Sequence, residues 1–179
     1  KFMSLLTVGT VAFDAIETPF GKTDKITGGS GNYICHSAGH FTHNMQLVSV
    51  VGDDFDKQEL KYLQSIGTDI EGIQIKEGEK SFFWSGRYHM DLNRRDTLVT
   101  DLNVLADFNP VLPDSYKTAE FLILGNIDPT LQAKVIAQMQ ERPKLIAMDT
   151  MNFWMDIALE PLKAVLKMVD LLVVNEEEA

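Results

Sequence analysis

A glycine-rich loop at residues 28–32 (GGSGN) is the segment of this sequence whose residue types best suit ligand binding. Glycines let the backbone approach a small polar ligand closely, and the amide of Asn32 both donates and accepts hydrogen bonds. Upstream, Asp14 carries a carboxylate that can accept hydrogen bonds from hydroxyl groups. The loop contains no lysine to meet a phosphate, so these groups indicate a ligand rich in hydroxyls.

Polar side chains also stand at or just beyond the ends of several apolar, strand-like runs. In open parallel sheets, ligands bind outside the carboxyl ends of the strands. A single polar residue at a strand end is often only a turn residue, but the set as a whole predicts a ligand site along one edge of a sheet. The residues of this set are Asp14, Asp53, Asn126, Asp149 and Asn175.

The second half of the chain alternates strand and helix patterns, which predicts a parallel sheet with crossover helices in an α/β fold. Helical patterns are expected at 32–43, at 54–66 with Asp54 as N-cap and Gly67 as stop signal, and from Pro129. Strands are expected at 4–8, 45–51, 121–124, 145–148 and 171–174.

The middle of the chain differs, because strand-like runs at 73–76 and 80–89 are separated by the turn signal 77–79 (EGE). This pattern predicts a β-hairpin. Phe82, Phe83 and Trp84 are consecutive, so the ribbon would carry apolar groups on both faces and would need cover from the domain, a ligand or a second copy.

Composition narrows the possible partners. The 179 residues carry a formal net charge of −10, which disfavours nucleic acid and anionic membranes as partners. The single cysteine, Cys35, excludes a disulfide within one chain, and the expected compartment is the cytoplasm. No apolar run approaches the ~20 residues that span a bilayer.

Taken in order, the motifs resemble the ribokinase-like carbohydrate kinases of the PfkB family. The matching segments run along the chain at 9–14 (GTVAFD), 28–32 (GGSGN), 50–55 (VVGDDF), 67–70 (GTDI), 149–152 (DTMN) and 175–178 (NEEE). The resemblance implies a three-layer α/β sandwich with a mainly parallel sheet and a small β-ribbon lid. Residues 1–179 would form the N-terminal part of one kinase domain, with lid segments at approximately 15–27 and 73–100.

The resemblance implies ATP-dependent phosphorylation of a hydroxyl of a sugar or related small molecule, with Mg²⁺. The family's acceptor-binding positions match Asp14, Gly28, Gly29 and Asn32, and Asn126 is a further candidate for acceptor binding. The family's Asn-x-x-Glu motif, which lies near the triphosphate and the water shell of magnesium, matches Asn175 and Glu178. No protein side chain is expected to ligate a metal directly.

One departure from the family pattern concerns the catalytic base, an aspartate in a late Gly-Ala-Gly-Asp motif. No glycine follows Gly125, so this motif is absent from the second half of the chain. We therefore expect no catalytic base in these residues. The chain would be the substrate-side part of a longer kinase, with the base C-terminal to it, and would be inactive alone.

The predicted lid adds further candidates. Trp84 could stack on a sugar ring, and Arg87 or Arg94 could meet an anionic group of the substrate, although lid packing and solvent exposure are the commoner roles of such residues. The resemblance also implies a homodimer that pairs through the lid, which would cover the three consecutive aromatic residues.

Several alternatives stay open or are disfavoured. A nucleoside kinase of the same fold, or a sugar-binding module without catalysis if the chain ends at 179, would share many of these features. His36, His40 and His43 could share one helix face at a spacing compatible with a metal, but an ordinary packed or exposed face is favoured. Dinucleotide and P-loop motifs both lack a required glycine.

Overall fold

A parallel sheet forms the centre of the molecule. The computed structural model describes residues 3–176 and 178–179; Lys1, Phe2 and Glu177, the third residue of the predicted 175–178 motif, lie outside the described residues. The strands of the larger sheet are β1 (Leu5–Val8), β5 (Met45–Gly52), β6 (Thr68–Asp69), β7 (Ile73–Lys76), β10 (Phe121–Leu124), β11 (Leu145–Asp149) and β12 (Leu171–Val173). They lie in the order β12-β11-β10-β1-β5-β6, with β7 also beside β5, and every pairing among them is parallel.

Helices pack on both faces of this sheet, which gives the expected three-layer α/β sandwich. One core cluster joins Leu6, Leu122 and Ile146 of the sheet to Val135 and Leu162 of the helices on that face. A second cluster lies on the other face, over β5. The helices are α1 (Ser30–Ala38), α2 (Lys57–Ser65), α3 (Pro129–Gln138), α4 (Asn152–Ile157) and α5 (Leu159–Leu166).

A smaller sheet stands beside the larger one. Its strands are β2 (Ala12–Thr18), β3 (Gly21–Lys22), β4 (Ile26–Gly28), β8 (Phe83–Tyr88) and β9 (Arg95–Asp101). They lie in the order β3-β2-β8-β9, with β4 also beside β2. The chain leaves the larger sheet after β1 and after β7, and returns to it after β4 and after β9, so four segments connect the two sheets.

The predicted hairpin across 77–79 is wrong. β7 pairs in parallel with β5 in the larger sheet, whereas β8 pairs with β2 and β9 in the smaller one. The turn at Gly78, whose N–H donates to Asp53 at 2.9 Å, passes the chain from one sheet to the other. The segment 73–100, expected as lid, thus begins with a strand of the larger sheet.

The three aromatic residues at the start of β8, Phe82 just before it and Phe83 and Trp84 within it, are partly covered by the chain itself. Phe83 packs in the second core cluster with Phe13 and Phe55. Phe82, Phe83 and Trp84 are all half-buried within one chain. The chain itself therefore covers them in part, and the dimer through the lid stays a prediction.

Two helix predictions also need correction. α1 ends at Ala38, so His40 and His43 lie beyond it and do not share a helix face with His36. His36 instead pairs with Glu59 of α2. The N-cap of α2 is Asp56 rather than Asp54, and its side chain accepts a hydrogen bond from the N–H of Gln58.

Among the described residues, no helix combines the length and the apolar character that crossing a membrane requires.

Candidate active site

Asp14 lies on the middle strand of the smaller sheet, just after the chain leaves β1. The register places Ile26 of β4 on one side of it and Trp84 of β8 on the other. Because alternate residues of a strand point to the same face, Ile16, Gly86 and Tyr88 share this face. We call it the Asp14 face.

The two glycines of the loop 28–32 make room for the Asp14 carboxyl. A Cβ on Gly28 would collide with Oδ2 of Asp14. Gly29 has a φ of 94°, in the region that favours glycine, and its N–H donates a hydrogen bond to the Asp14 carboxylate. Burial raises the pKa of Asp14 to about 6, and the hydrogen bond from Gly29 opposes that rise.

Thr10 fastens the start of α1 beside this carboxyl. Its Oγ1 accepts from the N–H of Ser30 at 2.9 Å, and its carbonyl accepts from the N–H of Gly31 at 2.8 Å. Asn32 in the first turn is 2% exposed, and its Oδ1 has no hydrogen-bond partner among the described residues. A buried acceptor without a partner is costly, so this oxygen is a candidate for binding a ligand hydroxyl.

Aromatic side chains share the Asp14 face or lie close to it. The indole of Trp84 lies over Gly86, where a Cβ would collide with it, and its Nε1 donates to Thr97 at 3.4 Å. Burial raises the pKa of Tyr33 of α1, and the nearby charges of Asp14 and Tyr88 raise it further. The sequence patterns singled out Trp84 but missed both tyrosines.

Arg87 does not lie on the Asp14 face. It is the register partner of Glu17 on the opposite face of the smaller sheet, and the two side chains form an ion pair at 3.0 Å. Arg94, the other arginine considered, pairs with Asp91 at 2.8 Å and is largely exposed.

A second group of polar residues lies at the carboxyl ends of β10, β11 and β12. It lines a cavity of about 380 Å³ with Asn126, Asp149, Asn175, Glu178 and Arg95. We call it the Asp149 cavity. Four of these residues belong to the larger sheet or follow its strands, whereas Arg95 is the first residue of β9 in the smaller sheet. Asp53 belongs to neither group.

The carboxylates of Asp149 and Glu178 bring negative charge to the Asp149 cavity. Burial and the nearby charge of Glu178 raise the pKa of Asp149 to about 6, while the N–H of Thr150 and the charge of Arg95 oppose that rise. Glu178 and Asn175 close a turn, in which the Glu178 carboxylate accepts from the N–H of Asn175 at 3.1 Å and Oδ1 of Asn175 accepts from the N–H of Glu178 at 3.1 Å.

This donor set fits a hydrated divalent cation. Mg²⁺ prefers carboxylate oxygens and usually keeps several of its waters, and a cation here would relieve the repulsion between Asp149 and Glu178. Within the described residues, no three His, Cys, Asp or Glu side chains gather as a ready-made metal cage.

Buried and half-buried side chains hold the loops of the Asp149 cavity in place. Oδ1 of Asn126 accepts from Nε1 of Trp154 at 2.8 Å, which fixes the orientation of the amide. Gln132 is fully buried, and its Nε2 donates to the carbonyls of Gly125 and Asp149, both at 3.0 Å. It thereby ties together the ends of β10 and β11.

A larger concavity of about 710 Å³ lies against the α1 side of β10, β11 and β12. Its walls are almost wholly apolar, with Leu5, Phe121 and Leu171 among them. Ser30, Thr42 and Asp149 contribute to its lining, but its exposed surface is mostly apolar and offers little to orient a polar ligand. The Asp14 face and the Asp149 cavity are therefore the better candidates for chemistry.

Comparisons with known proteins decide the family. Residues 4–179 match the description "pfkB family carbohydrate kinase". The chain belongs to the pfkB family. A cytidine kinase of Thermococcus kodakarensis is 28% identical over 139 residues, which are 77% of this chain and 49% of that protein. The chain thus spans about half the length of this relative.

Solved structures show the same fold. A nucleoside kinase of Methanocaldococcus jannaschii, described as an archaeal member of the ribokinase family, superposes with a TM-score of 0.73 at 21% identity, covering 99% of this chain and 62% of that one. A ribokinase of Cryptococcus neoformans in complex with ADP gives 0.78 at 19% identity, with 99% and 58% covered. The ribokinase-like fold expected from the sequence is confirmed.

Proposed function

We propose that the whole protein transfers the terminal phosphoryl group of ATP to a hydroxyl of a sugar or nucleoside, and that this chain carries its acceptor side. The observation that carries the proposal is the Asp14 carboxylate, seated on Gly28 and Gly29 and facing the aromatic residues. Family membership supports a phosphotransferase.

Asp14 and Asn32 suit an acceptor with several hydroxyls. An ionised carboxylate accepts up to two hydroxyl hydrogen bonds on the side not occupied by Gly29. Replacing the Asp14 carboxylate or the Asn32 amide would weaken binding of the acceptor. Its hydroxyls would lose their hydrogen bonds to water on entering the half-buried site and would find no protein group to replace them.

The Asp149 cavity suits the phosphate side of the reaction. We propose that Asn175, Glu178 and Asp149 hold hydrated Mg²⁺, which would neutralise phosphate charge. Relatives support this assignment at the level of the fold, since one neighbouring structure is a ribokinase in complex with ADP and another is an Escherichia coli putative ribokinase in complex with ATP and Mg²⁺.

A nucleoside is favoured over a simple sugar by the aromatic residues at Asp14. Trp84, Tyr33 and Tyr88 offer ring surface on which a planar base can stack. The names of two relatives, a cytidine kinase and a nucleoside kinase of Burkholderia thailandensis in complex with inosine, agree with this choice.

Kinetics of the full-length protein would test the proposal. Purified protein is given Mg²⁺ and ATP with ribose, fructose, cytidine or inosine, and both ADP and phosphorylated acceptor are quantified. We expect stoichiometric formation of both products with at least one acceptor. ATP hydrolysis that is indifferent to every acceptor, or acceptor binding without phosphorylation, would contradict the proposal and favour a binding module.

Cytoplasmic location and a homodimer through the smaller sheet remain proposals. Leu98 and Val99 on the edge strand β9 are exposed, at 45% and 39%. Apolar residues on an unpaired edge strand favour association. Sedimentation of the wild type against a Val99→Lys variant would test the dimer.

A further inference from the structure

The amide of Asn126 lies where the two proposed sides of the reaction meet. In the larger sheet, β10 has β1 on one side and β11 on the other. β1 leads to Asp14, β11 ends at Asp149, and Asn126 follows the last residue of β10 by two positions. Its half-buried side chain lines the Asp149 cavity. The amide is thus a group of the phosphate side on the strand next to the one that leads to the acceptor side.

Trp154 of α4 determines which end of this amide is free. The Nε1 of an indole can only donate a hydrogen bond, so the atom 2.8 Å from it is the amide oxygen of Asn126. The amide nitrogen lies on the other side and donates to Sδ of Met151 at 3.0 Å. This nitrogen carries two hydrogens, and among the described residues the second hydrogen has no partner. Asn126 therefore offers an N–H donor to the Asp149 cavity while its oxygen is held by α4.

We propose that Trp154 is a positioning residue of the kinase reaction, which holds the Asn126 amide so that its N–H donates to an oxygen of the phosphoryl group in transfer. The inference rests on the proposed function. It assigns Asn126 to a phosphate oxygen, whereas the sequence made this residue a candidate for acceptor binding. Trp154 itself touches neither substrate and acts through Asn126.

The charge of the cavity explains why the orientation of a neutral amide matters. The ionised side chains of Asp149 and Glu178 offer only hydrogen-bond acceptors, which repel phosphate oxygens. An amide turned over would add another acceptor to the cavity. It would also set its nitrogen against the indole N–H of Trp154 and leave a half-buried donor without a partner, which is costly. The donor is thus oriented before a ligand binds, and preorganised donors aimed at developing charge lower the barrier of a reaction.

Packing explains the tryptophan less well than its hydrogen bond does. Trp154 is half-buried and belongs to neither of the two core clusters that the described residues form. Its neighbour Met155 packs against the first of these clusters instead. The indole ring meets the exposed ring of Phe153 edge-on, with 4.9 Å between the ring centroids. Phe153 therefore offers a control for ring packing that has no donor.

Steady-state kinetics of full-length Trp154→Phe, Asn126→Leu and Phe153→Leu would test the role. Trp154→Phe keeps an aromatic ring and removes the N–H donor. We expect its kcat to fall about fivefold, the usual contribution of one hydrogen bond, with acceptor KM within about twofold. Asn126→Leu should lower kcat by about a hundredfold, the usual cost of losing a preorganised donor. Phe153→Leu, the packing control, should keep the wild-type rate.

A double variant separates positioning from packing. If Trp154 acts through Asn126, Trp154→Phe should lower kcat no further in the Asn126→Leu background, because the effects of residues that act as a unit are not additive. A purely structural role would instead lower kcat about fivefold in both backgrounds.

A binding measurement distinguishes a failure of this inference from a failure of the kinase proposal. Full-length protein is titrated with ADP, Mg²⁺ and aluminium fluoride, which together mimic a phosphoryl group in transfer. We expect Trp154→Phe to lose about fivefold and Asn126→Leu about a hundredfold in affinity for this mixture, with affinity for ADP alone unchanged. Wild-type protein that binds neither the mixture nor ADP would overturn both proposals. Wild-type affinity for the mixture in both variants would overturn this inference alone.

Three kinetic results would also overturn the role of Trp154. One is a wild-type kcat in Trp154→Phe. Another is an equal loss of kcat in both backgrounds with folded protein, as judged by circular dichroism. The third is a rise in acceptor KM at unchanged kcat in Trp154→Phe and Asn126→Leu, which would place the amide on a hydroxyl of the acceptor.

Discussion

Asp14 and Asp149 are both half-buried carboxyls with the pKa raised to about 6, but the causes differ. At Asp14 burial is the only raising influence, and the N–H of Gly29 opposes it. At Asp149 burial is joined by the charge of Glu178, and the N–H of Thr150 and the charge of Arg95 oppose both. One carboxyl lies among glycines and aromatic rings, the other among charges.

The difference indicates different partners for the two carboxyls. A lone desolvated carboxylate gains from neutral hydroxyl donors, which the acceptor would supply. A carboxylate that already has a like charge beside it gains most from a cation. The two regions thus divide the proposed reaction between them, with the acceptor on the smaller sheet and the phosphate and its cation on the larger one.

The largest effect is expected from removing the Asp14 carboxylate. Asp14→Ala should raise acceptor KM and lower kcat, with a combined loss of roughly a hundredfold to a thousandfold in kcat/KM, because a charged hydrogen-bond acceptor for substrate hydroxyls is lost. Kinetics of the full-length protein would measure it. The control is Asp24→Ala, an exposed carboxylate between β3 and β4. Unchanged kcat/KM in Asp14→Ala would defeat the acceptor assignment.

A somewhat smaller effect is expected from removing the charge of Asp149, which we propose supports the bound Mg²⁺. Asp149→Asn should raise the Mg²⁺ concentration needed for half-maximal rate by about tenfold to a hundredfold, the usual consequence of losing a group that supports a bound metal. Titrating the rate with Mg²⁺ at saturating acceptor would measure it. If the half-maximal concentration stays at the wild-type value, Asp149 does not support the cation.

The architecture could be read from the sequence because its signals are local. Apolar runs that end in glycine, asparagine or aspartate marked β1, β5, β10 and β11, and alternation with helical patterns gave the parallel sheet. Register, however, depends on which strands meet. The turn at 77–79 signals a reversal of the chain but does not say that β8 pairs with β2 rather than β7.

The same limit applies to the candidate site. The sequence motifs pointed to Asp14 and the glycines, because close backbone approach leaves a signature in residue types. They singled out Arg87 and Arg94 and missed Arg95, because only the register places Arg95 on the Asp14 face and Arg87 on the opposite face. Tyr33 and Tyr88 became candidates only when α1 and β8 were seen to flank Asp14.

Acidic pH should weaken acceptor binding through Asp14. The carboxylate is protonated as the pH falls through about 6, so acceptor affinity should decrease towards tenfold per pH unit below that value. The raised pKa acts oppositely on stability, because the folded protein binds the proton more tightly than the unfolded chain, whose carboxyl titrates near 3.8. Stability contributed by Asp14 should thus rise as the pH falls from about 6 to 4.

Calorimetric titrations and thermal melts between pH 5 and 7 would separate the two trends. In Asp14→Asn, the fall in acceptor affinity and the rise in stability that Asp14 contributes at low pH should both disappear. Parallel loss of binding and stability in the wild type would instead mean that acid unfolds the protein and that Asp14 does not govern the acceptor.

The smallest effect is expected on the far face of the smaller sheet. Arg87→Gln should change the free energy of unfolding by about 1 kcal/mol or less, because its ion pair with Glu17 is about half exposed. Acceptor KM should stay within about twofold. Denaturant titration and kinetics would measure both, and a tenfold rise in KM would show that substrate reaches this face.

A paired kinetic measurement tests the division of the reaction most directly. Rates of full-length Asp14→Asn and Asp149→Asn would be measured while acceptor and Mg²⁺ are each varied. We predict that Asp14→Asn raises the acceptor KM and leaves the half-maximal Mg²⁺ concentration unchanged, whereas Asp149→Asn does the reverse. If both variants shift the same parameter, or if the two effects are exchanged, the assignment of the acceptor to the smaller sheet and of the phosphate side to the larger one is contradicted.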